Sequence, residues 1–234
     1  MNTEEQAKYL EELKSWLSTV ENAPLEEMDS FFTARLEEYE EHMLGPWAAV
    51  YSYFPTLLPE NAKKVLDLGC GTGLELDEIF KLRPELSVTG IDLTPSMLEK
   101  LREKHPDKDL TLINGSYFDV SFPGPFDAVI SFESIHHFTA DEKRPLFKKI
   151  YDTLKDGGVF LNNDYFACCD EEEKLLRDTC DRLRKRRNIT DGTFVHFDTP
   201  LTAEKEMQLL REVGFSSVTL DTSVKNGAVV IAKK

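Results

Sequence analysis

The sequence predicts an α/β fold: a doubly wound, mostly parallel sheet of seven strands whose last strand is antiparallel, preceded by an N-terminal helical cap. Three observations predict it. From Lys64 onward, short apolar runs alternate with amphipathic stretches, as in βαβ units. A glycine cluster, Gly69-Cys70-Gly71-Thr72-Gly73, follows the first of those runs. Near the end, apolar stretches at 218–224 and 228–232 flank Asn226-Gly227, a two-residue hairpin signal that turns the final strand antiparallel.

Residues 1–60 are expected to form the cap. Leu10, Leu13, Leu17 and Val20 make a helical stripe with Trp16 beside it. A second helix is expected over 25–42, with Met28, Phe31, Phe32, Leu36 and Tyr39 as its apolar positions. Gly45-Pro46 then opens an aromatic run (Trp47, Tyr51, Tyr53, Phe54) that reads as a loop-to-helix transition, and Pro55 and Pro59 read as a linker.

Residues 61–234 read as one sheet domain, with residues 165–200 a helical lid insertion. Its strands are expected at 65–68, 87–92, 110–113, 128–132 and 159–161, before the hairpin. Pro84 stops the first intervening helix, and Thr94-Pro95 opens the second with an N-cap and a first-turn proline. Thr139 and Glu142 have capping-box spacing ahead of a helix carrying Leu146, Ile150 and Leu154, which Gly157-Gly158 should end. A helix over 202–213 is closed by Gly214. The insertion holds a helical run over 170–187 that ends in Arg182-Leu183-Arg184-Lys185-Arg186-Arg187.

With 43 acidic side chains against 28 basic, the net charge of −15 argues against unaided binding to nucleic acid or anionic lipid. Residues 1–63 hold 13 acids and 4 bases, so the acidity sits largely in the cap, and the cluster at 182–187 is the exception. No run approaches the roughly 18 apolar residues of a membrane span, and the first residues do not resemble a signal peptide. Cys70, Cys168, Cys169 and Cys180 lack zinc-ligand spacing and read as free thiols in a reducing compartment. The expectation is therefore a cytoplasmic monomer or homodimer with a small-molecule partner, no membrane, no nucleic acid and no metal.

A strand that runs through closely spaced glycines into a helix lets backbone approach a ligand and presents free N–H groups to it. A dinucleotide site would want glycine where Leu74 stands, whereas this loop is G-x-G-x-G with Asp67 two residues ahead. Asp92 ends the second strand, where a carboxylate can accept from a ribose diol. With these residues the sequence resembles the class I S-adenosylmethionine-dependent methyltransferases. The resemblance covers roughly residues 35–234. It is most specific over 65–73, Gly90-Ile91-Asp92 and 126–138, where Ile135-His136-His137-Phe138 follows the fourth strand.

The resemblance implies a Rossmann-like sheet and S-adenosylmethionine as cofactor. Asp67 and the backbone of Gly69, Cys70, Gly71 and Gly73 would hold the methionine end, Asp92 the ribose, and Leu93 the adenine. Ser116 and Tyr117 occupy the adenine-edge position. The family commonly has aspartate where Ser116 stands, so that contact would fall to Asp119 or to backbone. Phe132 and Glu133 would sit beside the sulfonium, with Tyr39 reaching in from the cap.

Methyl transfer needs alignment and, for some acceptors, a base, and no nucleophilic residue. Candidate bases are Glu133, His136 and His137, with no single catalytic residue singled out; His42 and His196 fall in the expected cap and lid. Trp47, Tyr51, Asp164 and Tyr165 are candidates for the substrate pocket. The fourth strand carries Ser131-Phe132-Glu133-Ser134 in place of the Asn/Asp-Pro-Pro-Tyr string of base-amine methyltransferases, which speaks for a small-molecule acceptor. The alternatives are a relative of the carboxy-S-adenosylmethionine synthases, with the basic cluster holding the extra carboxylate, and a non-catalytic cofactor-binding protein.

Overall fold

In the computed structural model, which describes residues 2–190 and 192–234, the sheet begins with β1 (Lys64–Leu68), buried from Val65 to Leu68. Met1 and Asp191, inside the expected cap and insertion, lie outside the described residues. Strands β2 (Ser87–Asp92), β3 (Leu110–Asn114), β4 (Phe126–Phe132) and β5 (Leu154–Asn163) run parallel to β1 in the order β3-β2-β1-β4-β5. β6 (Ser217–Asp221) and β7 (Val229–Lys233) complete the seven strands as β5-β7-β6, and β7 is antiparallel to both neighbours. Central strands covered on both faces need apolar residues at nearly every position, as Val65, Leu66 and Leu68 or Ala128, Val129 and Ile130 supply.

Among the described residues, three α-helices and a short 3-10 turn (Phe54–Leu57) precede the sheet: α1 (Thr3–Val20), α2 (Met28–Ala34) and α3 (Leu36–Tyr53). The helix expected over 25–42 is thus broken at Arg35, whose φ of −112° leaves helical geometry. The chain then stays helical through Gly45 and Pro46, where a loop was expected. Burial explains this: Met43, Trp47, Val50 and Tyr51 recur on the α3 face that packs on the sheet, and their contacts outweigh the one helix bond that proline forfeits. Phe54 and Leu58 are also buried, so the segment around Pro55 is packed core rather than a linker.

Helices α4 (Leu74–Leu82) and α5 (Pro95–Lys104) join α3 on one face of the sheet through Ile79 and Leu101. On the other face α6 (Ala140–Thr153), opened by the Thr139–Glu142 capping box, packs through Phe147 and Ile150. The insertion forms α7 (Asp170–Arg186), which packs Leu176 on Leu10, Leu13 and Leu17 of α1. The last helix, α8 (Ala203–Val213), lies beside α6 and ends at Gly214 with φ +120°.

Two boundaries differ from expectation. Leu154 is buried and pairs with Phe126, so β5 starts before Gly157-Gly158, and that pair lies within a register shift where Gly157 has φ +76°. The β6–β7 connection runs from 222 to 228, and Asn226 at φ +67° turns the chain inside it, so the hairpin is longer than two residues. Among the described residues no helix is long and apolar enough to cross a membrane. The carboxyl ends of β1 and β4, where the strand order reverses, leave the crevice in which α/β sheets bind ligands.

Candidate active site

The loop after β1 holds Gly69, Gly71 and Gly73 at φ +74°, +48° and +74°, the left-handed region that glycine enters at least cost. A Cβ at Gly69 would lie 2.0 Å from Ser134 Oγ. At Gly71 the first atom met would be the Tyr39 hydroxyl, at 3.6 Å. The Gly71 N–H donates to Asp92 Oδ2 at 2.9 Å, and the Thr94 N–H donates to Oδ1 at 2.8 Å. Burial raises the Asp92 carboxyl above its usual range although both N–H groups hold it down.

A cleft opens here, lined by Tyr39, Gly69, Gly71, Asp92, Leu93, Met97, Ser116, Tyr117, Phe132 and Glu133. Its free volume is about 60 Å³, roofed by Met28, Phe32 and Phe194. The Ser116 hydroxyl accepts from the Phe118 N–H, the Tyr117 hydroxyl donates to the Ser134 carbonyl at 3.2 Å, and Asp119 is exposed outside the lining. The Cys70 thiol packs toward Gly90, leaving only its backbone to the loop. Asp67 also lies outside the lining; it is fully buried, and neither of its carboxyl oxygens has a hydrogen-bond partner. Burial, reinforced by the charge of Glu75, pushes Asp67 well up, and burial brings Glu75 up to about 7. No lysine or arginine lines the cleft among the described residues.

The cleft gives onto a larger chamber of about 560 Å³ that shares Phe32, Tyr39, Glu133 and His137 with it. Trp47, from the aromatic run, and Tyr165, from just past the end of the fifth strand, stand in its wall. Tyr51 does not. It is buried one turn beyond Trp47 and stacks on Phe132 with ring centroids 4.1 Å apart, so it supports the floor from below. Asp164 is likewise behind the wall: its Oδ1 pairs with His136 Nδ1 at 2.5 Å, and its Oδ2 accepts from Asn162. Asn162 also donates to Glu206, which is paired with the buried Lys143 at 2.7 Å, so a polar chain through the sheet fixes Asp164.

Glu133 adopts φ +49°, a conformation costly for a non-glycine residue, held by its N–H to the Asn163 carbonyl and by Asn163 Nδ2 on Oε1 at 3.1 Å. Burial, with the Asp164 charge added, pushes its carboxyl up to about 8. Burial disfavours a charged His136, yet Asp164 and Asp198 outweigh it and hold this ring protonated well above the ordinary histidine range. Burial and the neighbouring His136 charge push His137 well down, so it stays neutral. His136, His137 and Asp198 offer ligand atoms within 4.8 Å of one another, as do Glu133, His136 and Asp164, close enough to share a cation. Hydrogen bonds and ion pairs among these groups already account for their closeness.

Sequence reasoning missed Asp198, Phe31 and Arg35. Asp198 sits 3.4 Å from His136 Nε2 and 3.3 Å from His137 Nδ1. His196 stacks on Phe31 at 3.5 Å, and its N–H donates to the Glu26 carbonyl; a bridge between Glu27 and Val195 completes this seam between cap and insertion. No local signal marks these pairings. The basic cluster turns away from the chamber: Arg182 pairs with Glu21, Arg184 donates to the Thr190 and Thr193 carbonyls, and Arg187 donates to Ala23.

Residues 65–158 match the family model of the methyltransferase domain. The chain is 30% identical over 193 residues to a carboxy-S-adenosyl-L-methionine synthase of Campylobacter fetus, covering 76% of this chain and 79% of that one. The apo structure of the S-adenosylmethionine-dependent methyltransferase SibL superposes with a TM-score of 0.66 at 21% identity, over 97% of this chain and 69% of SibL. Human N-acetylserotonin methyltransferase in complex with its cofactor gives 0.62 at 18%, over 84% of this chain and 55% of the human one. At such identities the structural likeness is one of fold.

Proposed function

The chain belongs to the class I S-adenosylmethionine-dependent methyltransferases, and on that footing we propose that it methylates a small molecule bound in the chamber beside Glu133. One observation carries the reading: a cleft floored by glycine backbone, with Asp92 and Glu133 in its lining and Asp67 and Glu75 buried close by, has four carboxyls held above their usual range and no cation among its described lining residues. Such a site favours a positively charged guest and repels a pyrophosphate.

S-adenosylmethionine, when bound, supplies a methyl carbon already activated by positive sulfur. The Gly69 and Gly71 backbone would hold its methionine end, Asp92 the ribose, and Leu93, Met97 and Ser116 the adenine, whereas Asp67, expected at the methionine end, is buried outside the lining and would act only from behind the loop. Cofactor pockets usually offer roughly 300 Å³ or more, so the cleft must widen to admit it. Glu133, on the border of both spaces, would take the acceptor's proton. Its carboxyl titrates nearer neutrality than an ordinary glutamate, whereas His136 is already protonated and His137 is a weak base. His136, with Nδ1 on Asp164 and Nε2 toward Asp198, would fix that wall of the chamber. Four free thiols agree with a cytoplasmic setting.

The identity to a carboxy-S-adenosyl-L-methionine synthase supports a second reading, in which the product is a carboxylated cofactor. The chamber favours it less, because its one arginine among the described residues, Arg35, is paired with Glu26 at 2.9 Å. Calorimetry in two buffers of different ionisation enthalpy tests the main reading. S-adenosylmethionine should bind more tightly than S-adenosylhomocysteine and release protons as the carboxyls ionise; equal affinity without proton release would refute it. Mass spectrometry of the copurified ligand separates the readings, since a carboxylated cofactor would establish the second.

A further inference from the structure

A second cavity of about 350 Å³ lies between α1 and α7, beyond the chamber. Its walls are mostly apolar: Leu13, Trp16 and Val20 from α1, Leu25, and Leu176 and Leu183 from α7. Phe31, Tyr165, His196 and Asp198 line both spaces, so the cavity adjoins the chamber across a shared wall, and it has no lining residue in common with the cofactor cleft. We infer that the acceptor is amphipathic, with its hydroxyl or amine at Glu133 and an apolar tail running past Tyr165 into this annex.

Three features carry the inference. The chamber is lined by many charged and polar groups, Glu133, His136, Asp198, Arg35 and Glu38 among them, while the lining of the annex turns to aliphatic side chains. A tail of hydrocarbon suits that change and a polar sugar or peptide does not, because no charged side chain beyond Glu26 and Asp198 reaches the annex among the described residues. Tyr165, in the shared wall, is held in place: its hydroxyl and that of Tyr9 both donate to the Glu172 carboxylate. Trp16, 51% exposed at the rim, is a large apolar side chain that folding leaves uncovered. The volume corresponds to about a dozen water-sized groups, room for a medium-length chain.

The inference rests on the proposed acceptor chamber, and its test keeps the two apart. The full chain is saturated with S-adenosylhomocysteine, which keeps the cofactor cleft occupied, and titrated with n-butanol, n-hexanol, n-octanol and n-decanol. The dissociation constant should fall about fourfold per methylene until the annex is full. Val20→Trp, at the half-buried wall, should abolish that dependence. Trp16→Ala, an exposed position that leaves folding undisturbed, should weaken n-decanol several-fold while n-butanol changes little. A constant independent of chain length, no binding of any alcohol, or unchanged n-decanol affinity in both variants would overturn the annex. Failure of S-adenosylhomocysteine itself to bind would instead overturn the methyltransferase reading of the cleft.

Discussion

The cofactor cleft and the acceptor chamber share Glu133, Tyr39, Phe32 and His137 yet are built by different means. The cleft is made where strands end: its loop glycines, Asp92, Ser116 and Glu133 directly follow or close β1, β2, β3 and β4. What it offers is largely backbone N–H groups and buried carboxyls, fixed by the sheet. The chamber takes Phe31, Arg35 and Trp47 from the cap and Tyr165, His196 and Asp198 from the chain after β5, so it depends on side chains brought together from afar. The sheet edge therefore suits a constant ligand, and the added helices suit a variable one. Breaking one region should spare the other, except at the border they share.

That border should show the largest effect. Glu133→Gln keeps the shape and the Asn163 contact but cannot accept a proton, so kcat should fall by about 10²–10⁴-fold while S-adenosylmethionine affinity changes far less. In the parent enzyme kcat/KM should rise with pH through about 8, since the carboxyl must be ionised to act, and the variant should lose that rise. Steady-state production of S-adenosylhomocysteine across pH measures both. A variant with parental kcat would move the proton acceptor elsewhere and dissolve the border role.

Asp92→Ala probes the cleft alone. It removes the acceptor of the Gly71 and Thr94 N–H groups together with the ribose contact, and should weaken S-adenosylmethionine binding by about 1–3 kcal/mol. Calorimetry on the folded variant checks this, and unchanged affinity would remove Asp92 from the site.

The two regions were unequally legible in the sequence. The cleft is written locally: Val65 to Gly73 is strand, turn and helix start in one stretch, and the ligand approach itself demands the glycines. Asp92 and Glu133 stand at strand ends that apolar runs reveal. The chamber has no such grammar. Asp198 reaches His136 only because Val195 bridges Glu27 and His196 donates to Glu26, a pairing of two short extended pieces far apart in sequence. Aromatic content proposed Trp47 and Tyr51 alike, but α3 descends toward the sheet, so Trp47 reaches the chamber while Tyr51 one turn later is buried on Phe132. Pro46 looked like a breaker because the burial that overrides it is tertiary.

Phe31→Ala tests the seam of the chamber roof. Phe31 carries the His196 stack and lies under the Arg35 guanidinium at 3.7 Å, so its loss should loosen the roof. Stacking of this kind is worth about 0.5–1.5 kcal/mol, which predicts an acceptor KM raised by roughly two- to tenfold with cofactor affinity unmoved. Equal losses in both would mean that the roof serves the cleft as well.

The smallest effect lies in stability and asks whether cleft and border are short of positive charge in the same way. Glu75 and Glu133 are raised from the ordinary range to about 7 and about 8, and His136 is raised as well. A group raised on folding contributes stability that is complete below its unfolded pKa and is lost as pH climbs through its folded value. His137 and His196, held down on folding, act the other way, but they are outnumbered by the raised groups, Asp67 and Asp92 included, so the ligand-free protein should melt a few degrees lower at pH 8.5 than at pH 5.5, at ~2–4 °C per kcal/mol for a chain of this size. Saturating S-adenosylmethionine should shrink that drop more than S-adenosylhomocysteine does, because only the former brings a sulfonium charge to the carboxyls. Glu133→Gln should remove part of the drop and leave the share of Glu75, which belongs to the cleft. A melting temperature that stays level or rises with pH in the free protein would mean the buried carboxyls are already compensated, and with that the electrostatic case for a cationic cofactor would fall.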